Sequence, residues 1–168
     1  RHMKLLFIIL TGLGITLYYS SVKASVELNE KEYEERKCLV EAIYFEARSE
    51  PLIAQLAIAN VILERVKSIQ FPNTVCTVVK QGRYYKGHPI RHKCAFSYWC
   101  DGKSEKMYNE EAKQEAIKVA AMAADGILVD LTLYATHYHA IYVNPYWASN
   151  QRFEKLGQIG SHIFYIQH

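Results

Sequence analysis

Glu46 and Glu50 are two carboxylates four residues apart, at the end of an otherwise apolar segment. Leu39 and Ile43 precede them at helical spacing, so a helix would carry all four side chains on one face. Glu46 thus continues an apolar stripe, where a carboxylate is normally avoided. Because desolvation disfavours a charged carboxyl group, we expect a raised pKa at Glu46, which suits a general acid near neutral pH. The alternative is a structural glutamate at the edge of the core, held by an arginine such as Arg48 or Arg65.

Glu50 and Asp101 are weaker candidates for a catalytic carboxylate. Glycosidases with two catalytic carboxylates place them on opposite sides of the scissile bond, about 5 Å or more apart. Glu50 lies one turn from Glu46 on the same predicted face, so we expect it to bind a cation, orient a loop or contact a substrate. Asp101 lies beside Gly102 in a predicted turn, where an aspartate usually caps its own backbone.

Three histidines are candidate metal ligands. His137 and His139 are alternate residues, so a strand would point both to one face. Together with His162 they could form a three-histidine metal site. The alternative is a pair of hydrogen-bonding histidines that line a binding cleft.

The stretch from Ala42 to Pro51 resembles the signature of the SleB/CwlJ-type cell-wall hydrolases, which is usually written around Glu-Ala-Arg-Gly-Glu-Pro. Further blocks similar to that family follow in the same order, at residues 55–63, 71–79, 96–102, 135–140, 145–148 and 159–165. The resemblance runs from Cys38 to about Tyr165. The chain departs from the family pattern at Ser49 and Tyr134, where glycine is common, and at Ala95, where glutamine is common.

The resemblance implies a lysozyme-like, mainly helical α+β domain that cleaves peptidoglycan between N-acetylmuramic acid and N-acetylglucosamine. It also implies that Glu46 is the catalytic residue. Because the family is not known for a required metal, the resemblance favours histidines that line the cleft, with no metal and no other cofactor. Without a clear second carboxylate, we expect a lytic transglycosylase that forms a 1,6-anhydro product. The alternatives are a muramidase, which is a true hydrolase, and a metal-dependent amidase that uses His137, His139 and His162.

The blocks also contain side chains suited to binding a glycan. Sugar rings stack on aromatic faces, and indole and hydroxyl groups can bond to the ligand. We expect Trp99, Trp147, His137 and His139 to contact substrate together with Glu50, and Ser97 and Gln55 to be polar contacts to an N-acetyl group. For any one aromatic residue, a place in the core is the alternative. We expect peptidoglycan glycan strands as the binding partner and a monomeric protein.

Residues 3–24 have the layout of a secretory signal peptide. Lys4 precedes an apolar run, and Val22 and Ala24 occupy the minus-three and minus-one places of a cleavage site. The run is shorter than the roughly 20 apolar residues that span a bilayer comfortably. We expect either cleavage after Ala24 or an uncleaved signal anchor, hence an exported protein in the periplasm, envelope or medium. Residues 27–168 would then be the catalytic domain, and any membrane contact would be through the N-terminal segment.

Charge and cysteine content indicate which classes of function are less suited to this chain. The chain has 20 Lys and Arg against 17 Asp and Glu, and three of the basic residues precede residue 25, so the remainder is neutral, at 17 against 17. Such a balance disfavours nucleic-acid binding. A basic cluster over residues 80–93 is either a solvated loop or the wall of a cleft for an anionic polymer. The four cysteines, Cys38, Cys76, Cys94 and Cys100, predict two disulfides with three possible pairings.

The pattern of apolar and turn residues predicts the elements that hold these groups. We predict helices over residues 30–48, 52–67, 74–79 and 110–124. Ser49 is expected to cap the second helix, whose buried stripe would be Leu52, Leu56, Ala59, Leu63 and Val66. Asn109 should cap the last helix, and Gly126 should end it. We also predict a loop over 81–103 with an irregular hairpin at 96–100, an extended segment over 132–143, and an apolar C-terminal segment at 163–166 that docks on the domain.

Overall fold

The computed structural model describes residues 29–168. The predicted signal segment, residues 3–24, lies outside the described residues. Residues 35–168 form one compact unit. Within the described part of the chain, no helix is both long and apolar enough to cross a membrane.

Four α-helices lie close to their predicted places. Their bounds are residues 29–47 for α1, Leu52–Lys67 for α2, Val75–Val79 for α3 and Glu110–Ala124 for α4. The side chain of Asn109 accepts a hydrogen bond from the backbone N–H of Ala112, which confirms the predicted N-cap of α4. Gly126 follows the helix with a φ of 83°, the left-handed conformation that commonly ends helices at glycine.

The predictions for α2 need two corrections. Pro51, not Ser49, stands at its N-cap, and within the described residues no side chain caps the helix. The helix is buried around most of its circumference from Ala54 to Ile62, whereas Leu52 of the predicted stripe is 46% exposed. Contacts to α3, α4 and a sheet strand surround α2, and a helix covered on all sides has no single apolar stripe.

A β-hairpin occupies most of the region predicted as loop. Strands β1 (Gly82–Tyr85) and β2 (His88–Cys94) pair antiparallel. The two residues between them, Lys86 and Gly87, have φ angles of 49° and 82°, as a tight hairpin turn requires. The predicted hairpin at residues 96–100 is wrong, because Ser97–Cys100 form a turn of 3₁₀ helix.

A three-stranded antiparallel sheet lies in the C-terminal part. Its strands are β3 (His137–Ala140), β4 (Phe153–Ile159) and β5 (His162–Gln167), in the order β3-β5-β4. The predicted extended segment and the docking C-terminal segment are therefore β3 and the central strand β5. Two short 3₁₀ helices, Asp130–Thr132 and Tyr146–Ser149, flank the first strand in sequence.

The register of this sheet separates its side chains into two sets. Tyr138 pairs with Phe164 and Ala140 pairs with His162, while His137 pairs with Tyr165. Because successive side chains point to opposite faces, Tyr138, His162 and Phe164 share one face. Phe164 is fully buried in the hydrophobic core, so this inner face packs towards the helices. His137, His139 and Tyr165 lie on the outer face.

Two disulfides are formed, as predicted, and the structure gives the pairing that the sequence left open. Cys38–Cys76 joins α1 to α3, and Cys94–Cys100 joins the end of β2 to the 3₁₀ helix at Ser97–Cys100.

Candidate active site

Glu46 lies on the last turn of α1, and its carboxylate reaches the inner face of the sheet. The hydroxyl of Tyr138 donates a hydrogen bond to its Oε2 atom over 3.1 Å. Its Oε1 atom is buried and has no hydrogen-bond partner among residues 29–168. Burial raises the pKa of Glu46, although the Tyr138 hydroxyl, the backbone of Ser97 and Tyr98 and the charge of Arg65 act in the opposite direction. The structure therefore agrees with the raised pKa that the apolar stripe predicted.

Arg65 is a buried cation on α2 behind this carboxylate. Its Nε donates to the backbone carbonyl of Thr136 over 2.6 Å, and its guanidinium lies over the rings of Phe71 and Phe96, at 5.2 and 5.3 Å from their centroids. Burial lowers the pKa of Arg65, while the charges of Tyr138 and Glu46 raise it. Arg65 thus lies close enough to act on Glu46 through its charge, while its Nε is bonded to the carbonyl of Thr136.

Glu50 lies beyond the end of α1, so the prediction that it shares a helix face with Glu46 is wrong. Its Oε2 accepts a hydrogen bond from the backbone N–H of Ser161 over 3.0 Å, and Gln55 donates to its backbone carbonyl over 3.0 Å. Burial tends to raise the pKa of Glu50, but hydrogen bonds from Ser161 and the charge of His162 lower it overall. A Cβ atom at Gly160 would collide with this carboxylate. Glu50 thus orients the turn between β4 and β5, one of the roles predicted for it.

Ser97 stands beside Glu46 at the start of the 3₁₀ helix. The backbone N–H groups of Ser97 and Tyr98 lower the pKa of Glu46 without closing a hydrogen bond to its Oε1. Ser97 and Tyr98 also line a cavity of about 320 Å³, together with Phe45, which precedes Glu46. Tyr98 and Phe45 stack with ring centroids 4.9 Å apart.

Trp99 and Asp101 follow on the same segment and are engaged locally. The indole N–H of Trp99 donates to the hydroxyl of Tyr84 over 2.9 Å, and the Lys80 ammonium lies 4.7 Å from its ring centroid. The Asp101 Oδ1 accepts the backbone N–H of Lys103 over 2.7 Å, which is the local cap predicted for an aspartate in a turn.

The remaining predicted substrate contacts, His137, His139 and Trp147, form a group on the outer face of the sheet. The ring of Trp147 lies 5.3 Å from that of His137 and 5.7 Å from that of His139. His139 also meets the Tyr165 hydroxyl over 3.0 Å. The structure brings these three residues together but does not bring them to Glu46, so their contact with substrate stays a prediction.

The three-histidine alternative is not compatible with the strand register. His162 shares the inner face with Tyr138, their ring centroids lying 5.3 Å apart, whereas His137 and His139 point outward. Among the described residues, the structure contains no group of three or more His, Cys, Asp or Glu side chains arranged to hold a metal.

The contact of Tyr138 with Glu46 was not predicted from the sequence. Tyr138 lies between His137 and His139 in the sequence. Because side chains alternate along a strand, the two histidines lie on one face of the sheet and Tyr138 lies on the other. Burial raises the pKa of Tyr138 well above its usual range, as does the nearby charge of Glu46, so the phenol keeps its proton and acts as a donor.

Comparison with known proteins shows which family and which solved structures the chain resembles. The sequence profile of a family described as Cell Wall Hydrolase matches residues 49–165, a range that begins just after Glu46. A spore cortex-lytic enzyme of Bacillus cereus is 34% identical over 129 residues, which cover 75% of this chain and 42% of that protein. One from Bacillus subtilis is 37% identical over 81 residues, covering 48% of this chain and 23% of the relative. The chain therefore spans less than half the length of these curated relatives.

Two solved structures resemble the chain along most of their own lengths. The catalytic domain of the germination-specific lytic transglycosylase SleB from Bacillus anthracis aligns with a TM-score of 0.57 at 31% identity, covering 78% of this chain and 93% of that domain. The catalytic domain of SleB from Bacillus cereus aligns with a TM-score of 0.54 at 28% identity, covering 78% and 88%. The lysozyme-like α+β fold class predicted from the sequence is confirmed by these neighbours.

Proposed function

Because this chain belongs to the cell wall hydrolase family, we propose that it cleaves the glycan strands of peptidoglycan as a lytic transglycosylase. The observation that carries the proposal is the Glu46 carboxyl, whose pKa burial raises and whose Oε1 has no partner within the described chain. A raised pKa favours the protonated carboxyl group that a general acid requires. The likeness to the SleB catalytic domain adds support for the reaction class.

The reaction requires a single carboxyl group, which acts first as an acid and then as a base. Protonated Glu46 donates its proton to the glycosidic oxygen as the bond to C1 of N-acetylmuramic acid breaks. The N-acetyl group of that sugar stabilises the positive charge at C1. The Glu46 carboxylate then removes the proton from the C6 hydroxyl of the same sugar, whose oxygen attacks C1. The product is a 1,6-anhydro sugar, and Glu46 regains its proton.

The environment of Glu46 supports both steps. Tyr138 donates a hydrogen bond to Oε2 and so orients the carboxyl group. A muramidase would instead use water and would need a second carboxylate near the sugar. The two candidates for that group are already engaged, Glu50 by the backbone of Ser161 and Asp101 by the backbone of Lys103. These contacts favour the transglycosylase.

We also propose that the protein acts outside the cytoplasm, where peptidoglycan lies. The family supports this location, and the two disulfides fit an oxidising compartment. The predicted signal segment, cleavage after Ala24 and the monomeric state remain predictions.

Mass analysis of the products from purified peptidoglycan tests the proposed function. We expect muropeptides that end in 1,6-anhydro-N-acetylmuramic acid and are lighter by one water than hydrolysis products. The Glu46→Gln variant should keep the fold and lose activity by about 10²–10⁴-fold. Glu111→Gln makes the same change on the exposed surface of α4 and is the control.

Three results would contradict this proposal in part or as a whole. Reducing-end muramic acid as the only product would identify a true hydrolase, and Asp101 and Glu50 would then be mutated next. A loss of less than tenfold in Glu46→Gln would exclude Glu46 as the acid. Intact peptidoglycan after prolonged incubation with the natural protein would refute the activity itself.

A further inference from the structure

The cavity lined by Phe45, Ser97 and Tyr98 has a charge and size that the cleavage reaction does not use. Its volume is about 320 Å³, at the lower end of the range of about 300–1,000 Å³ typical of small-molecule pockets. Besides Ser97 and Tyr98, its lining includes the cations Arg48, Lys103 and Lys106. The cavity therefore has room for a substituent larger than one carboxylate, and it shares Ser97 and Tyr98, whose backbone acts on Glu46, with the candidate active site.

Positive charge exceeds negative charge around this cavity. Against the three cations, the described lining contributes two carboxylates, Asp101 and Glu105. Asp101 already has local partners. Its Oδ1 accepts a hydrogen bond from the backbone N–H of Lys103, and its Oδ2 lies 3.9 Å from the Lys103 ammonium. That separation in an exposed pair gives only weak attraction, so Lys103 remains able to bind another anion.

The other two cations lie on aromatic rings. The Arg48 guanidinium lies 5.2 Å from the Tyr44 ring centroid, and the Lys106 ammonium lies 5.1 Å from that of Tyr108. An aromatic face positions a cation but leaves its net charge in place. The cavity thus presents oriented positive charge together with the hydroxyls of Ser97 and Ser104.

We propose that this cavity binds the carboxylate-bearing substituent of muramic acid, through Lys103, Lys106 and Arg48. The inference rests on the proposed function, because it takes peptidoglycan as the substrate of this site. That substituent is attached at C3, two carbons from the C1 atom whose bond is cleaved, so it must lie beside Glu46 during the reaction. Its carboxylates come either from the lactyl group itself or from the peptide attached to it, and both sources share the chemistry of a carboxylate.

Kinetics on three soluble substrates test the proposal and distinguish the two sources. The substrates are glycan strands with peptide stems, strands stripped by an amidase so that the lactyl carboxylate is free, and chitin oligosaccharides, which carry neither group. The double variant Lys103→Gln/Lys106→Gln should raise KM about three- to tenfold, with kcat unchanged, because it removes binding common to ground and transition states. A rise on stem-bearing strands alone identifies the carboxylates of the peptide, and a rise on stripped strands alone identifies the lactyl carboxylate. A rise on both kinds of strand shows that the cavity accepts either carboxylate.

A matched control separates the cavity from general electrostatics. Lys118→Gln/Lys155→Gln removes the same charge from exposed positions on α4 and β4 and should leave KM unchanged. Equal effects of the two double variants, an equal loss of chitin binding, or no change in KM on either kind of strand would overturn the proposal.

Binding measurements keep this inference separate from the proposed function. The lysine changes are placed in Glu46→Gln, and sedimentation of that protein with stem-bearing and stripped strands is measured at fixed salt. Weaker binding with the lysine changes supports the cavity even if the natural protein cleaves nothing, in which case only the proposed function fails. The opposite result is also informative. If the natural protein cleaves the strands but the lysine changes alter neither binding nor KM, the proposed function holds and the proposed role of the cavity is refuted.

Discussion

The hydroxyl of Tyr138 is the contact that distinguishes the two oxygens of Glu46. It donates to Oε2 and leaves Oε1 buried without a partner in the described chain. A hydrogen bond to the charged form of a carboxyl group favours ionisation, so Tyr138 moderates the rise in pKa that burial causes. Tyr138 therefore has an orienting role and an electrostatic one.

Tyr138→Phe should move the alkaline limb of the pH–rate profile to higher pH. Glu46 must be protonated to begin the reaction, and activity falls as pH rises through its pKa. Loss of the hydroxyl removes an interaction that lowers this pKa, so the pKa rises further and the limb follows it. We expect kcat to fall as well, because Oε2 is no longer held. The measurement is kcat and kcat/KM across pH on soluble strands.

Tyr165→Phe is the control for this experiment. It removes a hydroxyl that meets His139 on the outer face of the same sheet. The alkaline limb should stay in place. A limb that moves equally in both variants, or that moves to lower pH in Tyr138→Phe, would contradict the role given to Tyr138.

The residue types at the site were predictable in part. An apolar stripe that ends in a carboxylate predicted the raised pKa of Glu46, because burial of a charge depends mainly on local helical spacing. Its partner Tyr138 is 92 residues away in sequence, and the hydrogen bond exists only because β3 packs beside α1. The spacing of neighbouring residues in the sequence does not indicate a contact between such distant positions.

At the scale of elements, sequence signals were reliable where one residue determines backbone geometry. Asn109 capped α4 and Gly126 ended it, as predicted. Tyr134, which stands where the resembling family commonly has glycine, has a φ of 67°. A side chain in this left-handed region costs roughly 1–2 kcal/mol, which explains why glycine suits the position. The hairpin at β1 and β2 was missed because its strands are largely exposed and lack alternation of polar and apolar residues.

The two disulfides should differ in their effects on stability and on activity. Cys38–Cys76 spans 38 residues and Cys94–Cys100 spans 6, so loop-closure entropy gives losses of about 4 and about 2 kcal/mol when each pair is changed to alanine. The shorter loop contains Ser97 and Tyr98, whose backbone acts on Glu46. Cys94→Ala/Cys100→Ala should therefore lower activity more than stability alone explains.

Urea unfolding and initial rates of both double variants check this prediction. The larger stability loss should belong to Cys38→Ala/Cys76→Ala, and the larger activity loss per folded molecule to Cys94→Ala/Cys100→Ala. The reverse order in the rates would show that the shorter disulfide does not position the backbone near Glu46.

At the scale of the whole molecule, the site joins segments from across the chain. Glu46 comes from α1, Arg65 from α2, Ser97 from the 3₁₀ helix after the hairpin, and Tyr138 from β3. The fold class was predicted because seven sequence blocks resembled one family. The meeting of these side chains was not, since it depends on how the helices and the sheet pack.

The stability of the folded protein should decline as pH falls from about 6.5 to about 4. Burial is the main cause that lowers the pKa of His137 to about 4 from its usual value of 6.5, with a further contribution from the charge of Arg65. Between these values the unfolded chain binds a proton that the folded chain does not, so protonation favours unfolding. Burial also lowers the pKa of His162, which acts in the same direction.

His137→Phe should reduce the slope of this decline without abolishing it, because His162 remains. The free energy of unfolding from urea titrations at several pH values between 4 and 7 measures the slope. His88→Phe makes an equal change at an exposed position of the hairpin and should keep the natural slope. A slope in His137→Phe as steep as in the natural protein would contradict the prediction.

The register of β3 has a consequence for how substitutions along this strand can be interpreted. Tyr138 contacts Glu46 on the inner face, while His137 and His139 pack with Trp147 on the outer face. A change at Tyr138 therefore acts on the candidate acid, whereas a change at His137 acts on packing and on the dependence of stability on pH. Neighbouring residues of one strand thus report on two separate properties of the protein.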